Sequence, residues 1–335
     1  MKTKNKKSVN SWRRTVSNKP DSKYSMLKSR NVGENHPPIK LSILIVSYNS
    51  ADTIEQCVDS VVKDAKKLTT EIIIIDNLST DGTPDILNEL KAQNDLLKLV
   101  LNKANRGFAA GNNQALDLAQ GEYVLILNPD TVIQAGALNG LVTEIEKNED
   151  IGIVAPQLKF PDGRIQKTCR RFPGYMDVIY NSLGLAQVYP QSSRFNAWKM
   201  GDFDHQTPRQ VDQPAGAALM VRGSLLRELK GFDQNFPMFF NDVDLCKRVK
   251  DAGYEIWFMP EYRIVHIGGA SVKKVKLKMT LSSHVSFFRY FEKHFTRLHQ
   301  QPMNFVVGLL LYLSLVPRIL GLILFKNNQS SRDTL

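Results

Sequence analysis

Cysteine is scarce: Cys57, Cys169 and Cys246 are the only three in 335 residues, and no two stand at CxxC spacing. That argues against a disulfide framework or a zinc site and suits a reducing cytosol. Also missing are GxGxxG and GxxxxGK[ST], which disfavours a dehydrogenase and a P-loop kinase or GTPase. The first 38 residues lack an apolar h-region, so they are not a secretory signal. Acids are almost absent there too. Across residues 1–40 eleven Lys/Arg oppose Asp21 and Glu34, so +9 of the net +11 sits in this arm. The other 295 residues are nearly neutral. The basic balance therefore gives no argument for nucleic acid as a partner. Residues 1–38 read as a disordered arm, either solvated or touching anionic headgroups.

What is present is a regular alternation. Apolar runs at Leu41 to Val46, Glu71 to Ile75, Leu96 to Leu101, Tyr123 to Leu127 and Ile151 to Ala155 read as strands. Between them lie helical patterns. Ile54, Cys57, Val58, Val61 and Val62 follow Ser50 or Asp52 as N-cap, and Ile86, Leu87 and Leu90 mark a second helix. Residues 107–119 and 134–146 read as two more. Strands apolar throughout, alternating with helices, predict a parallel, doubly wound sheet covered on both faces.

A polar cluster follows each strand: Ser47-Tyr48-Asn49, Asp76 to Thr83, Asn102 to Asn113, and Asn128-Pro129-Asp130. Each alone is ordinary turn chemistry. In a parallel sheet all four share the rim where ligands bind. Asp130, delivered by a buried strand, can hold a metal ion against phosphate oxygens or merely cap the next helix.

After residue 155 the alternation ends. Asp162-Gly163 predicts a hairpin, and residues 172–210 a variable loop region facing the acceptor. The small residues of Gln213 to Ala218 allow a close ligand approach or tight internal packing. Asp242 opens a helix carrying Val243, Cys246 and Val249 inward. Asp242 and Asp244 are either first-turn carboxylates favoured by the helix dipole or, in one case, a general base. Glu255 to Met259 and Arg263 to Ile267 read as two short strands, the second bearing His266 before Gly268-Gly269.

Taken in series, these stretches resemble family 2 glycosyltransferases, in their bacterial rhamnosyltransferase-like branch. The resemblance rests on Val46-Ser47-Tyr48-Asn49-Ser50, Asp76-Asn77 with Ser79 and Asp81-Gly82-Thr83, Asn105-Arg106-Gly107-Phe108 with Gly111-Asn112-Asn113, and Leu127-Asn128-Pro129-Asp130. It continues through Gly231-Phe232-Asp233, Asp242-Val243-Asp244-Leu245-Cys246 and His266 with Gly268-Gly269, covering roughly residues 40–270. It implies a GT-A fold and inverting transfer from a nucleotide-sugar. Ser47, Tyr48, Asn49, Asp76, Asn77, Asn105, Arg106, Gly107, Asn112, Asn128 and Asp130 would bind that donor. Asp130 and His266 would hold a divalent metal, Mg²⁺ or Mn²⁺, and Asp242 would be the catalytic base. The branch usually carries Glu before this Asp; here Asn241 stands instead, and Asp244 is the nearby alternative.

The expected organisation is a basic arm (1–38), a catalytic domain (39–272) with a nucleotide-sugar half (39–155) and an acceptor half (156–272), and a basic helical region (273–335). Residues 305–325 carry fifteen Leu, Ile, Val or Phe and one charge, Arg318. They are expected to associate with a membrane, as a kinked span, a re-entrant hairpin or an interfacial helix broken at Val316-Pro317-Arg318, or else to pack in the core. Nearby Lys273, Lys274, Lys276, Lys278, Arg289, Lys293 and Arg297 suit an anionic cytoplasmic leaflet. Together with the resemblance, this implies a lipid-linked saccharide acceptor and work at the cytoplasmic face of a bacterial plasma membrane. L-Rhamnose from dTDP-rhamnose is the first donor expected. The competing readings are a membrane-attached, non-catalytic nucleotide-sugar-binding protein and a sugar nucleotidyltransferase. Ser47-Tyr48-Asn49-Ser50 lacks the Gly-rich, Arg-bearing loop that the latter needs.

Overall fold

The computed structural model describes residues 37–236, 238–268 and 276–330. Residues 1–36, Gly269, Lys273 and Lys274 lie outside the described residues, as do the side chains of Lys276, Lys278 and Arg318. Residues 41–127 alternate as expected: β1 (Leu41–Ser47), α1 (Ile54–Asp64), β2 (Thr70–Asp76), α2 (Thr83–Gln93), β3 (Leu97–Leu101), α3 (Phe108–Leu118) and β4 (Tyr123–Leu127). Next come β5 (Thr131–Ile133), α4 (Ala137–Glu146) and β6 (Ile151–Lys159). The chain continues through α5 (Tyr175–Ser182), α6 (Leu185–Val188), β7 (Arg209–Gln210), β8 (Ala218–Arg222) and α7 (Gly223–Glu228). It ends with α8 (Asn241–Asp251), β9 (Glu255–His266), α9 (Lys276–His294) and α10 (Gln301–Ser330).

The strands form one sheet in the order β3-β2-β1-β4-β8-β6-β9-β5, with β7 on β9. The first four are parallel. The expectation of a mostly parallel sheet fails beyond β4. β8 runs antiparallel to both β4 and β6, β6 and β9 are parallel, and β5 and β7 are antiparallel to β9. The reason is that a strand buried on both faces reads as apolar throughout whichever way it runs; Ala218 to Val221 of β8 are as buried as β1. The two short strands expected at 255–267 are one strand, β9, with an irregularity opposite Pro156/Gln157.

Alternate strand residues feed two cores. Leu41, Ile43 and Ile45 pack with α1 and α4, through Ile54, Val58, Leu138 and Leu141. Leu44 and Val46 pack on the other face with α3, α7 and α8, through Ala115, Leu226, Leu245 and Val249. Neither Ser50 nor Asp52 caps α1: its N-cap is Thr53, without a side-chain bond, and the Ser50 carbonyl accepts from the Thr53 and Ile54 N–H groups.

A third apolar cluster joins α9 and α10 to α5, α8 and the chain before α8, through Val178, Phe236, Val243, Tyr290, Phe291, Val307 and Leu311. The helix expected to break at Pro317 instead runs as one element from Gln301 to Ser330. Among the described residues no helix is long and apolar enough to cross a membrane. One face of α10 is spent on protein packing: Asn304, Val307 and Leu311 are buried, and Asn304 binds Tyr175 and the Phe295 carbonyl.

Candidate active site

The parallel register aligns Ser47 with Asp76 and Asp76 with Leu101, and Ile45 with Leu127. The four polar clusters therefore emerge at one edge. Hydrogen bonds stitch the first two loops together. Asp76, 2% exposed, accepts from Ser47 Oγ (2.9 Å), Ser79 Oγ (2.5 Å) and Ser79 N (2.9 Å). Asn49, at φ +51°, accepts at Oδ1 from Thr80 N, while its own N–H donates to Ser79 Oγ. Asn77 Nδ2 donates to the Gly107 carbonyl, and Gly107 (φ +82°) receives its own support from Asn105 Oδ1. Asp76 and Asn77 are thus spent inside the cradle, while Tyr48, Asn49, Asn105 and Arg106 are exposed on its rim. Asn112 is buried, with Nδ2 on the Phe108 carbonyl and Oδ1 without a partner among the described residues.

The end of β4 carries Asn128, whose N–H donates to the Ala217 carbonyl, and then Asp130. The short β5 pairs Thr131 with His266. His266 Nε2 therefore stands 3.4 Å from Asp130 Oδ1, and Gly268 N donates to Oδ2 at 3.2 Å. An ionised carboxylate beside an imidazole nitrogen is a donor set that fits a divalent cation bridging to phosphate oxygens, with Mn²⁺ favoured by the nitrogen. Asp130 and His266 are the two side chains expected to hold such a cation. Among the described residues no group of three or more His, Cys, Asp or Glu could hold a metal.

The helix α8 starts from Phe240 at φ +65°, an unusual conformation for an aromatic residue. Phe240 stacks on Phe287 of α9 at 4.7 Å. Asp242 Oδ2 accepts from Gly216 N (3.0 Å) and Gln213 Nε2 (3.1 Å), and Oδ1 from Val243 N (2.9 Å). Burial raises its pKa, against these N–H groups and the nearby Arg170 charge. The small-residue run has a definite use: a Cβ on Gly216 would lie 3.0 Å from that of Asp242. Ala217 binds Asn128 and Gly216 binds Asp242, so adjacent residues of one segment join the base candidate to the metal rim.

Asp244 is arranged differently. It is fully buried and accepts from Arg248 Nε (2.8 Å), Lys293 Nζ (2.6 Å) and His294 Nε2 (2.9 Å). Burial would raise it, but His294, Arg248 and Lys293 pull it down to about 2. A saturated carboxylate of that acidity is a poor base. Gly231-Phe232-Asp233 likewise serves the fold: Asn113 clamps the Phe232 N–H and carbonyl at 2.8 Å each, and Asp233 pairs with Lys293 at 2.6 Å.

The model for the family described as Glycosyl transferase family 2 matches residues 42–201. These residues form a family 2 glycosyltransferase domain. An N-acetylglucosaminyl-diphospho-decaprenol L-rhamnosyltransferase of Mycobacterium tuberculosis is 24% identical over 68% of this chain and 75% of its own length. A poly(ribitol-phosphate) beta-glucosyltransferase of Bacillus spizizenii is 36% identical over 38% of this chain, but only 20% of its own. A mannosyltransferase from Pyrobaculum calidifontis, solved with GDP-Man and Mn²⁺, superposes with TM-score 0.53 at 20% identity, covering 82% of this chain and 70% of its own. The chain thus has a GT-A-like fold with a mixed sheet. The matched span contains the donor rim and Asp130, but Asp242 and His266 lie beyond it. Gln166, Gln213 and Arg170 carried no signal in the sequence. Their partners His266 and Asp242 are distant in the chain, and single glutamines follow no period.

Proposed function

We propose that the protein is an inverting, metal-dependent hexosyltransferase. It moves a sugar, L-rhamnose from dTDP-rhamnose as first candidate, from a nucleotide-sugar to a lipid-linked saccharide in bacterial cell-surface polysaccharide synthesis. The observation that carries this reading is Asp242: a carboxylate with raised pKa, tethered through Gly216 and Ala217 to the rim holding Asn128 and Asp130. In the reaction the acceptor oxygen forms a bond to the sugar C1 as the bond from C1 to the diphosphate oxygen breaks. The leaving diphosphate takes that electron pair, and the acceptor proton passes to Asp242. A positioned base of this kind contributes roughly 10²–10⁴-fold. The raised pKa makes Asp242 a better proton acceptor than an ordinary aspartate. Tyr48, Asn49, Asn105 and Arg106 contact the nucleotide-sugar from the exposed rim, while Ser47, Asp76, Asn77, Gly107 and Asn112 shape the cradle. A divalent cation held by Asp130 and His266 would stabilise the negative charge gathering on the diphosphate.

The lipid-linked acceptor is supported by the decaprenol-linked substrate in the mycobacterial relative's name. It is also supported by the outer face of α10, where Phe305 (73% exposed), Val306, Leu309, Tyr312 and Leu313 lie uncovered. Residues 273–330 carry nine Lys/Arg against one acid, Glu292. An apolar face among cations matches an anionic bilayer surface and favours in-plane contact at the cytoplasmic leaflet over a span.

The test is transfer of labelled sugar from a panel of nucleotide-sugars into the lipid fraction of membranes containing the full chain. Labelling by one donor, lost with EDTA and in Asp130→Ala, is expected. The absence of labelling from every donor, with donor binding intact, would overturn the transferase reading.

A further inference from the structure

Gln166 lies just after the Asp162-Gly163 turn, which folds the chain back so that Ile165 bridges Lys159 and Gln166 N donates to the Leu158 carbonyl. This brings a buried side-chain amide against a residue one hundred positions away. Gln166 Nε2 donates to the His266 carbonyl oxygen at 2.6 Å, and Gln166 Oε1 lies 2.9 Å from His266 Nδ1. The two contacts fix each other. A carbonyl oxygen can only accept, so the amide nitrogen must face it, and the amide oxygen is left facing the ring. That oxygen can only accept, so Nδ1 carries the hydrogen. In the neutral ring Nε2 is then bare, and Nε2 is the atom beside Asp130 Oδ1.

We infer that Gln166 is a positioning residue for the metal: by holding His266 in the Nδ1–H tautomer, its amide aims the Nε2 lone pair at the cation bound by Asp130. The inference rests on the reading that Asp130 and His266 hold that cation. The physical logic is that of an outer partner of a metal-bound histidine, which fixes ring orientation and tautomer and whose loss costs 10–100-fold in metal affinity. Here the brace is two-pointed, since the same amide also grips the backbone of the residue it orients. The opposite tautomer would require Nδ1 to accept, which would turn the amide round and set its oxygen against the His266 carbonyl. It would also spend Nε2–H on Asp130, leaving neither group free for a cation.

Two measurements on the full chain separate this inference from the metal reading. The first is ¹⁵N NMR of histidine-labelled protein without metal. His266 protonated at Nδ1 in the wild type, and a tautomer mixture in Gln166→Leu, is expected; an Nε2–H tautomer in the wild type would overturn the assignment. The second is binding of Mn²⁺ alone, followed by loss of the free-ion EPR signal. Affinity should fall 10–100-fold in Gln166→Leu, while Gln166→Glu, which keeps an acceptor for Nδ1–H, should lose less. Unchanged affinity in Gln166→Leu, with affinity lost in His266→Ala, would overturn the positioning role while leaving the metal site standing. Wild-type affinity in His266→Ala would overturn the metal reading and the inference with it.

Discussion

Asp242 and Asp244 sit two residues apart in the first turn of α8, where the same helix dipole favours both carboxylates. Asp244 points to the side where α9 packs and meets Arg248, Lys293 and His294; Asp242 meets neutral N–H groups from Gln213, Gly216 and Val243. Burial acts on both in the same direction, and the partners decide the outcome: raised for Asp242, about 2 for Asp244. In the proposed reaction Asp242 is the proton acceptor; Asp244 is a fixed charge that fastens α9 to α8. Position in a motif does not separate them. The groups facing each oxygen do.

The largest effect on the fold is expected at Asp244. Replacing it with Asn leaves Arg248 without its buried carboxylate and Lys293 with Asp233 alone, a change of the kind that costs about 3–5 kcal/mol; urea unfolding of the full chain measures it. The pH dependence carries a sign. A folded pKa near 2, below an aspartate's ordinary 3.8, gives stability that is full above about pH 4 and lost as pH falls towards 2. That contribution is roughly 2–3 kcal/mol, and Asp244→Asn should lack this acid-sensitive portion. A loss in Asp244→Asn confined to activity, with stability unchanged, would break the contrast.

A smaller effect is expected at Arg170, whose charge opposes the upward shift of Asp242. Arg170→Met should raise the Asp242 pKa further and move the acidic limb of the kcat/KM profile to higher pH. Movement to lower pH would contradict the sign.

The shared rim of four polar clusters was legible in the sequence because each parallel strand ends at an abrupt polar cluster, and the parallel register then aligns those ends without further information. β8 was not legible in direction, because burial on both faces hides it. The membrane-like run 305–325 was legible as apolar, but hydropathy could not tell that Val307 and Leu311 face α9 while Phe305 and Tyr312 face outward. The resemblance favoured Asp242 over Asp244 by motif position alone, because the sequence does not show what each carboxylate meets. His294 is fifty residues from Asp244, and Gly216 twenty-six from Asp242. Only the folded chain shows which carboxylate is spoken for.

The most direct test of the account is Asp242→Asn, measured for sugar transfer and for nucleotide-sugar binding by calorimetry on the same sample. The substitution keeps an oxygen for the Gly216 and Gln213 N–H groups and turns the oxygen that accepts from Val243 N into an NH2, which removes the basic oxygen and that one hydrogen bond. Transfer reduced by roughly 10²–10⁴-fold, with donor affinity and thermal stability close to wild type, is the predicted result. Transfer retained in Asp242→Asn but lost in a folded Asp244→Asn would assign the base to the other carboxylate and contradict the account.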